Sequence, residues 1–263
     1  MLALKAVVFS RIQMMMTIGV LSRTMPFEVQ RRACGLALAL LVVGCAANDA
    51  ADPASSMLDT QAAVAAAIDV RADGCGPLIG FGTGTVIDGG DIVTAAHVVA
   101  GSTAVEVIDR NGARAAAEVV LFDPALDFAV LRPASAVGTP LTIRPLEARQ
   151  NEVGVLVRIR ERDGAMEVEQ IDVRVVREAN ISTTDIYIER EVVRDGFEIE
   201  SSVDTGDSGA MVVLPGGGAG IVWARSNRVN GRAWAIDLPN GIIDGTALTA
   251  EIAPVDVGQC ISR

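Results

Sequence analysis

Short strand-like runs separated by glycine turns follow one another from residue 63 onward, and this pattern constrains the fold more than any other feature. Polar and apolar residues alternate in Glu167–Val176, as they do in a half-buried strand. Long runs with helical period are few, and strands do not alternate with helices as in a parallel sheet. The sequence therefore predicts an all-β fold, either a sandwich or barrels. The predicted strands include Gly84–Asp88, Ala104–Asp109, Val153–Arg160, Glu167–Glu178, Asp185–Glu191, Ala210–Leu214, Gly220–Ala224 and Ala233–Leu238.

Two segments are less clearly patterned. Ala62–Val70 is rich in alanine and fits either a short helix or the first strand. Ala134–Glu152 contains prolines and few periodic residues, which predicts a connector between two halves of the chain.

The amino-acid composition argues against several classes of function. The 263 residues allow one or two domains, and 22 basic against 33 acidic residues give a net charge of −11. A nucleic-acid binder would need a basic surface for phosphates, so we expect no nucleic-acid partner. The four cysteines form no CxxC pair, which argues against a zinc ribbon or a redox pair. We expect neither a metal nor a cofactor.

The start of the chain is typical of an export signal. The apolar run Gly35–Gly44 has the length of a signal core and ends just before Cys45. Val42–Cys45 is similar to a bacterial lipobox, in which the cysteine is lipidated and becomes the first mature residue. We interpret 1–44 as the signal segment, with Met25 as its true start. The alternatives are an ordinary cleaved signal, or a buried strand with an incidental cysteine.

The polar, small residues that follow Cys45 predict a flexible tether over 45–62.

Two apolar runs each carry one chemically active side chain. The strand-like run Val93–Val99 contains His97, the one histidine in the chain. The run Phe122–Leu131 contains Asp127, and a buried carboxylate is costly unless something hydrogen-bonds to it. Alone, His97 could be a packed core histidine, and Asp127 could have a purely structural partner.

A third segment adds a nucleophile. Asp204–Gly209 reads Asp-Thr-Gly-Asp-Ser-Gly, and glycines on both sides of Ser208 allow a sharp turn with exposed backbone N–H groups. By itself this is a glycine turn. A serine nucleophile needs an adjacent base, and the base needs an orienting carboxylate. The order His97, Asp127, Ser208 is the chymotrypsin order.

These segments together resemble the trypsin-like serine peptidases, and their spacing is closer to the bacterial high-temperature-requirement type than to animal trypsins. The resemblance runs from about Cys75 to Cys260 and includes Gly82–Ile87 and Ile199–Gly209. It implies two six-stranded antiparallel β-barrels with the active site in the cleft between them. The first barrel is expected in 63–145, and the second barrel with a C-terminal tail in 146–263.

The resemblance also implies roles for individual residues. Ser208 would attack the peptide carbonyl, His97 would take up and return the proton, and Asp127 would orient the imidazole. The backbone N–H groups of Gly206 and Ser208 would form the oxyanion hole.

Two residues depart from the family pattern. Ala210 stands where a second glycine is usual, and Asp207 stands where the high-temperature-requirement type usually has asparagine. In trypsins this aspartate pairs with a new N-terminus made by cleavage. The chain has no matching cleavage motif, so Asp207 needs another partner, which the sequence does not identify.

The specificity pocket is expected to contain Ser202 at its base and Val222 and Trp223 in one wall. Arg232 lies near the opposite wall. It either favours an acidic residue before the scissile bond or is a surface group in solvent or in a salt bridge.

Cys75 and Cys260 are the two thiols left once the signal is removed and Cys45 is lipidated. An exported protein meets an oxidising compartment, so we expect them to form a disulfide, which the family resemblance supports.

The leading hypothesis is a lipid-anchored serine endopeptidase of the bacterial cell envelope, facing outside the cytoplasm, with a protein or peptide substrate and a lipid contact to the membrane. The alternative is a catalytically silent lipoprotein of the same fold that binds a protein or peptide. An esterase is a third possibility, but the nucleophile elbow and the βαβ frame of the esterases are absent.

Overall fold

Two closed β-barrels make up the molecule in this computed structural model, which describes residues 57–75, 80–243, 245 and 253–261. All strand pairs within both barrels are antiparallel. The predicted double-barrel fold is therefore confirmed. The signal segment and Cys45 lie outside the described residues. No helix in the described part has both the length and the apolar composition needed to cross a bilayer.

The first barrel has the strand order β1-β2-β3-β6-β5-β4, closed by pairing of β4 with β1. A short helix, α1, precedes it, and a second, α2, follows β3. The elements are α1 Thr60–Ala66, β1 Ala67–Asp73, β2 Gly80–Val86, β3 Ile92–Thr94, α2 Ala96–Val99, β4 Ala104–Asp109, β5 Arg114–Asp123 and β6 Phe128–Pro133.

The second barrel has the order β10-β11-β12-β9-β8-β7, closed by pairing of β7 with β10. A one-turn helix, α3, follows its last strand. The elements are β7 Val153–Arg162, β8 Ala165–Thr184, β9 Glu191–Glu200, β10 Met211–Leu214, β11 Gly217–Arg225, β12 Arg232–Asp237 and α3 Asn240–Ile243.

Three apolar clusters explain how the barrels hold together. One fills the first barrel and includes Ile68 and Leu131, and another fills the second and includes Leu156 and Phe197. The third joins side chains of both barrels, among them Phe128. Strands such as β7 bury residues on both faces because one face lines a barrel and the other packs between the barrels.

Helix α1 starts inside the segment predicted as a tether, because Asp59 caps it. The Asp59 carboxylate accepts a hydrogen bond from the Ala62 N–H at 2.9 Å. Strand β1 then begins at Ala67, so the two interpretations of Ala62–Val70 each describe one part of it.

The predicted strand Asp185–Glu191 is wrong except for its last residue, because residues 185–190 form the turn between β8 and β9 and Glu191 begins β9. The Asp185 carboxylate accepts hydrogen bonds from the N–H groups of Tyr187 and Glu189, and Ile188 has a φ of 62°. An aspartate that bonds its own following backbone favours a turn over a strand.

The C-terminal tail returns to the first barrel. The Val255 N–H donates to the Val119 carbonyl, and the Gly101 N–H donates to the Val257 carbonyl. Cys75 and Cys260 are bonded, with their Cα atoms 5.5 Å apart and a sequence separation of 185. The expected disulfide is thus present, next to the segment that follows α2.

Candidate active site

His97 lies in the one-turn helix α2, not in a strand as the sequence predicted. Strand β3 ends at Thr94, whose hydroxyl donates to the Thr83 carbonyl at 2.8 Å, and the chain then turns into α2. Ala95 and Ala96 are fully buried, and their small side chains leave room at this turn for another segment.

Asp127 contacts His97 through both the ring and the backbone. His97 Nδ1 lies 2.8 Å from Asp127 Oδ2, and the His97 N–H donates to Asp127 Oδ1 at 2.9 Å. Asp127 is only 3% exposed and has a φ of 62°, in the left-handed region that aspartate tolerates better than most residues. Burial alone would raise the pKa of Asp127, but the charge and hydrogen bonds of His97, together with Arg194, lower it below the usual value.

Ser208 sits in a glycine turn packed against β2 and the start of α2. The Thr83 N–H donates to the Ser208 carbonyl at 2.8 Å. A side chain at Gly209 would overlap the Thr83 carbonyl and the Thr94 hydroxyl, and one at Gly82 would lie 2.9 Å from the Ser208 carbonyl. Only glycine permits this approach, which brings the serine turn onto the segment that carries His97.

The turn exposes the two backbone N–H groups expected to form the oxyanion hole. Gly206 and Gly209 have φ values of 96° and 86°. Among the described residues, no acceptor is bonded to the N–H of Gly206 or of Ser208. The Gly206 carbonyl accepts from the Thr83 hydroxyl at 2.9 Å, which holds the loop in place.

Arginines on β7 neutralise Asp207, which is fully buried. Arg158 forms a two-pronged ion pair with it, at 2.8 Å from Nε and 2.7 Å from Nη2, and Arg160 lies 3.4 Å away. This pairing raises the pKa of Arg158 above its usual value. The partner that the sequence left unidentified is therefore a guanidinium from within the chain, 49 residues away.

Ala210 fits the turn without distortion. It is fully buried, its N–H donates to the Asp207 carbonyl at 3.0 Å, and its carbonyl accepts from the Val222 N–H at 2.9 Å. Its methyl group packs in the apolar cluster of the second barrel. The departure from the family pattern costs no hydrogen bond at this position.

The expected pocket residues lie close to this turn. The Val222 carbonyl accepts the Gly209 N–H at 2.7 Å, and Trp223 follows at a bulge in β11. Ser202 is exposed, and its carbonyl accepts from Arg158 Nη2 at 2.9 Å. Arg232 has a buried Nη1 with no hydrogen-bond partner and no ion pair within the described residues. Its expected role, either in favouring an acidic substrate residue or as a surface group, stays a prediction.

The residue that sequence reasoning missed is Arg194, on β9. It is 2% exposed, lies 4.0 Å from Asp127 through Nη1, and stacks on the Trp223 ring at 4.4 Å from its centroid. The sequence of β9 gives no sign that Arg194 is buried. Side-chain alternation in a strand would bury the apolar Val193 and expose Arg194, but Val193 is 61% exposed and Arg194 is buried.

A separate pocket of about 650 Å³ is lined by the connector and by β8, β9 and β12, without any member of the expected triad. It contains Asp237, whose pKa is raised to about 6 by burial and by the nearby carboxylates of Glu147, Asp195 and Glu178.

Comparison with known proteins identifies the family of the chain. A family model described as the trypsin-like peptidase domain matches residues 82–219. The serine protease Rv3671c of Mycobacterium tuberculosis is 31% identical over 184 residues, which is 69% of this chain and 45% of the relative. The chain thus spans less than half the length of the curated relative that it matches.

Solved structures match the fold over most of the chain. The active form of the Rv3671c protease from M. tuberculosis has a TM-score of 0.68 at 27% identity, covering 80% of this chain and 92% of that one. The inactive form of the same protease has a TM-score of 0.57 at 26% identity, covering 72% of this chain and 92% of that one. The HtrA-type protease AlgW with a tripeptide has a TM-score of 0.56 at 21% identity, covering 71% of this chain and 64% of that one. At this identity the similarity shows the fold alone. On the family model and the fold together, this chain belongs to the trypsin-like peptidase family.

Proposed function

We propose that the chain is a serine endopeptidase in which Ser208, His97 and Asp127 act as one unit. The observation that carries the proposal is the contact of His97 with Asp127 at 2.8 Å, beside a glycine turn that holds Ser208 against the same segment. The closer similarity to the active than to the inactive form of the mycobacterial protease supports it.

The reaction follows from this arrangement. The Ser208 hydroxyl attacks the peptide carbonyl and forms a bond to its carbon while His97 accepts the hydroxyl proton. Asp127 stabilises the imidazolium, and the N–H groups of Gly206 and Ser208 stabilise the oxyanion. His97 then gives the proton to the leaving amine, and water hydrolyses the acyl-enzyme by the same steps in reverse.

In this proposal, the residues beside the Ser208 turn determine which substrates are cleaved. Ser202 is neutral, so a demand for arginine or lysine before the scissile bond has no charge to support it. The unpaired Nη1 of Arg232 instead favours an acidic residue there.

A fluorophosphonate probe tests the mechanism. The folded domain should react covalently, and Ser208→Ala should abolish the reaction and reduce peptide hydrolysis by roughly four to six orders of magnitude. Ser135→Ala, which changes an exposed serine in the connector, is the matched control and should react as the wild type does. A folded wild-type domain that does not react would favour the catalytically silent alternative.

We also propose that Cys45 is lipidated and attaches the domain to a membrane of the cell envelope. The support is the apolar run that ends at a lipobox-like Val-Val-Gly-Cys, followed by a polar stretch. Cells fed labelled palmitate should label the wild type and Cys34→Ala, but not Cys45→Ala. Equal labelling of Cys45→Ala would refute the anchor.

A further inference from the structure

Arg194 is a fully buried cation next to the proposed active site, and the mechanism above does not use it. Removing a guanidinium from water to such a place is costly unless its surroundings compensate. We propose that Arg194 is a positioning residue that sets the working pH of the His97–Asp127 pair and couples this pair to the pocket wall at Trp223. The inference rests on the proposed peptidase function.

The first observation is that Arg194 joins the two barrels at the turn that carries Asp127. Its Nε donates to the Ala125 carbonyl at 2.8 Å, two residues before Asp127. Its Nη2 donates to the Thr184 carbonyl at 3.2 Å, at the end of β8. A planar fork can make both bonds at once, whereas a lysine ammonium has no such geometry. The position of Asp127 relative to the second barrel therefore depends on this side chain, together with the Ile186 N–H, which donates to the Pro124 carbonyl at 3.1 Å.

The second observation concerns charge. Arg194 Nη1 lies 4.0 Å from Asp127 Oδ2, the same oxygen that lies 2.8 Å from His97 Nδ1. Within the described residues, His97 supplies all the hydrogen bonds to this carboxylate. The carboxylate is thus shared between two cations whenever His97 is protonated, and Arg194 disfavours that protonated state.

The other charged groups around Arg194 are carboxylates that it does not share with His97. Burial lowers the pKa of Arg194, while Asp127, Asp123 and Asp185 oppose this effect. Asp123 accepts hydrogen bonds from backbone N–H groups in its own turn, and so does Asp185. The backbone of their own turns holds the carboxylates of Asp123 and Asp185 in place. Of the three carboxylates near Arg194, Asp127 is the one that contacts His97, so a change at Arg194 acts on the triad through Asp127.

The third observation links the charge to the pocket. The Arg194 guanidinium lies over the Trp223 ring, 4.4 Å from its centroid, an arrangement with a favourable cation–π energy. Trp223 stands at the bulge directly after Val222, whose carbonyl holds the Gly209 N–H. One guanidinium thus touches both the carboxylate of the triad and the aromatic wall.

The test is the rate at which an alkyl fluorophosphonate phosphonylates Ser208, with loss of fluoride, between pH 5 and 9. Arg194→Met removes the cation that opposes protonation of His97, so the acid limb of the profile should move to higher pH by roughly one unit. It also removes the stack, so the probe concentration at half-saturation should rise several-fold. Arg194→Lys keeps the charge and loses the planar face, so the limb should stay in place while the half-saturation concentration rises.

Two controls separate this role from a structural one. Arg144→Met removes another buried arginine, which is 4% exposed and paired with Glu152, and it should lower stability without moving the acid limb. Trp223→Leu should raise the half-saturation concentration and leave the limb unchanged.

The inference would be overturned by a folded Arg194→Met variant whose pH–rate profile has the wild-type acid limb and whose half-saturating probe concentration is that of the wild type. If that variant does not fold, Arg194→Lys decides: a shifted limb, or an unchanged half-saturation concentration, refutes the proposal. A wild type that shows no Ser208-dependent reaction refutes the peptidase function instead, which is a different result.

Discussion

Arg158→Met removes the principal counter-charge of a fully buried carboxylate. The side chain of Asp207 is 0% exposed and loses two hydrogen bonds, of 2.7 and 2.8 Å, while Arg160 stays at 3.4 Å. Breaking a buried pair from one side typically costs 3–5 kcal/mol, and because Arg160 remains, we expect about 3 kcal/mol. Since the Asp207 turn carries the N–H groups of Gly206 and Ser208, acylation should slow more than the unfolded fraction explains.

Urea unfolding of the domain measures this cost. Arg162→Met is the matched control on the same strand, because Arg162 is 60% exposed and its pair with Glu167 should contribute at most about 1 kcal/mol. In the double variant Arg158→Met/Asp207→Asn, the buried charge is gone, so part of the lost stability should return. A cost for Arg158→Met no greater than that of Arg162→Met, at an unchanged m-value, would show that the ion pair does not hold the turn.

Three further changes test other parts of the structure. The raised pKa of Asp237 means that its ionisation opposes folding: the penalty is absent below about pH 4, grows as the pH rises through about 6, and persists above it. Asp237→Asn should therefore stabilise the domain by about 1–2 kcal/mol at pH 8, after allowing for solvent screening, and leave its urea midpoint unchanged at pH 3.5. Gly209→Ala should abolish acylation, whereas Gly112→Ala, with a similar φ of 81° and open space around it, should cost only about 1 kcal/mol by thermal melting. Reducing the bond between Cys75 and Cys260 should lower stability by up to roughly 5 kcal/mol, and an unchanged melting temperature would contradict this.

Local patterns predicted much of the fold. Alternation predicts β4, because one of its faces packs against apolar side chains and the period of two is visible. Strand β7 is predicted by its apolar run instead, because both of its faces are buried. The Asp204–Gly209 motif predicted a sharp turn, since glycines are needed where the backbone takes positive φ. The apolar residues that flank His97 predict a strand there, and no local signal marks the end of β3 at Thr94.

Contacts between distant segments could not be predicted. Arg158 and Asp207 are 49 residues apart, and any of several arginines could have paired with that carboxylate. Arg194 is buried and its neighbour Val193 is exposed, the reverse of what polarity predicts, because Asp127 in the β5–β6 turn and Trp223 on β11 compensate its burial. Only the assembled barrels bring these partners together.

The disulfide also closes the chain from Cys75 to Cys260 into a covalent ring. Strands β2 to β12 lie inside this ring and β1 lies outside it, and His97, Asp127 and Ser208 are all inside. One self-inflicted cut in an exposed hairpin would therefore open the ring without releasing a fragment. The nicked molecule keeps its mass in non-reducing electrophoresis and separates into two pieces only on reduction, so damage by neighbouring copies does not by itself dismantle the domain.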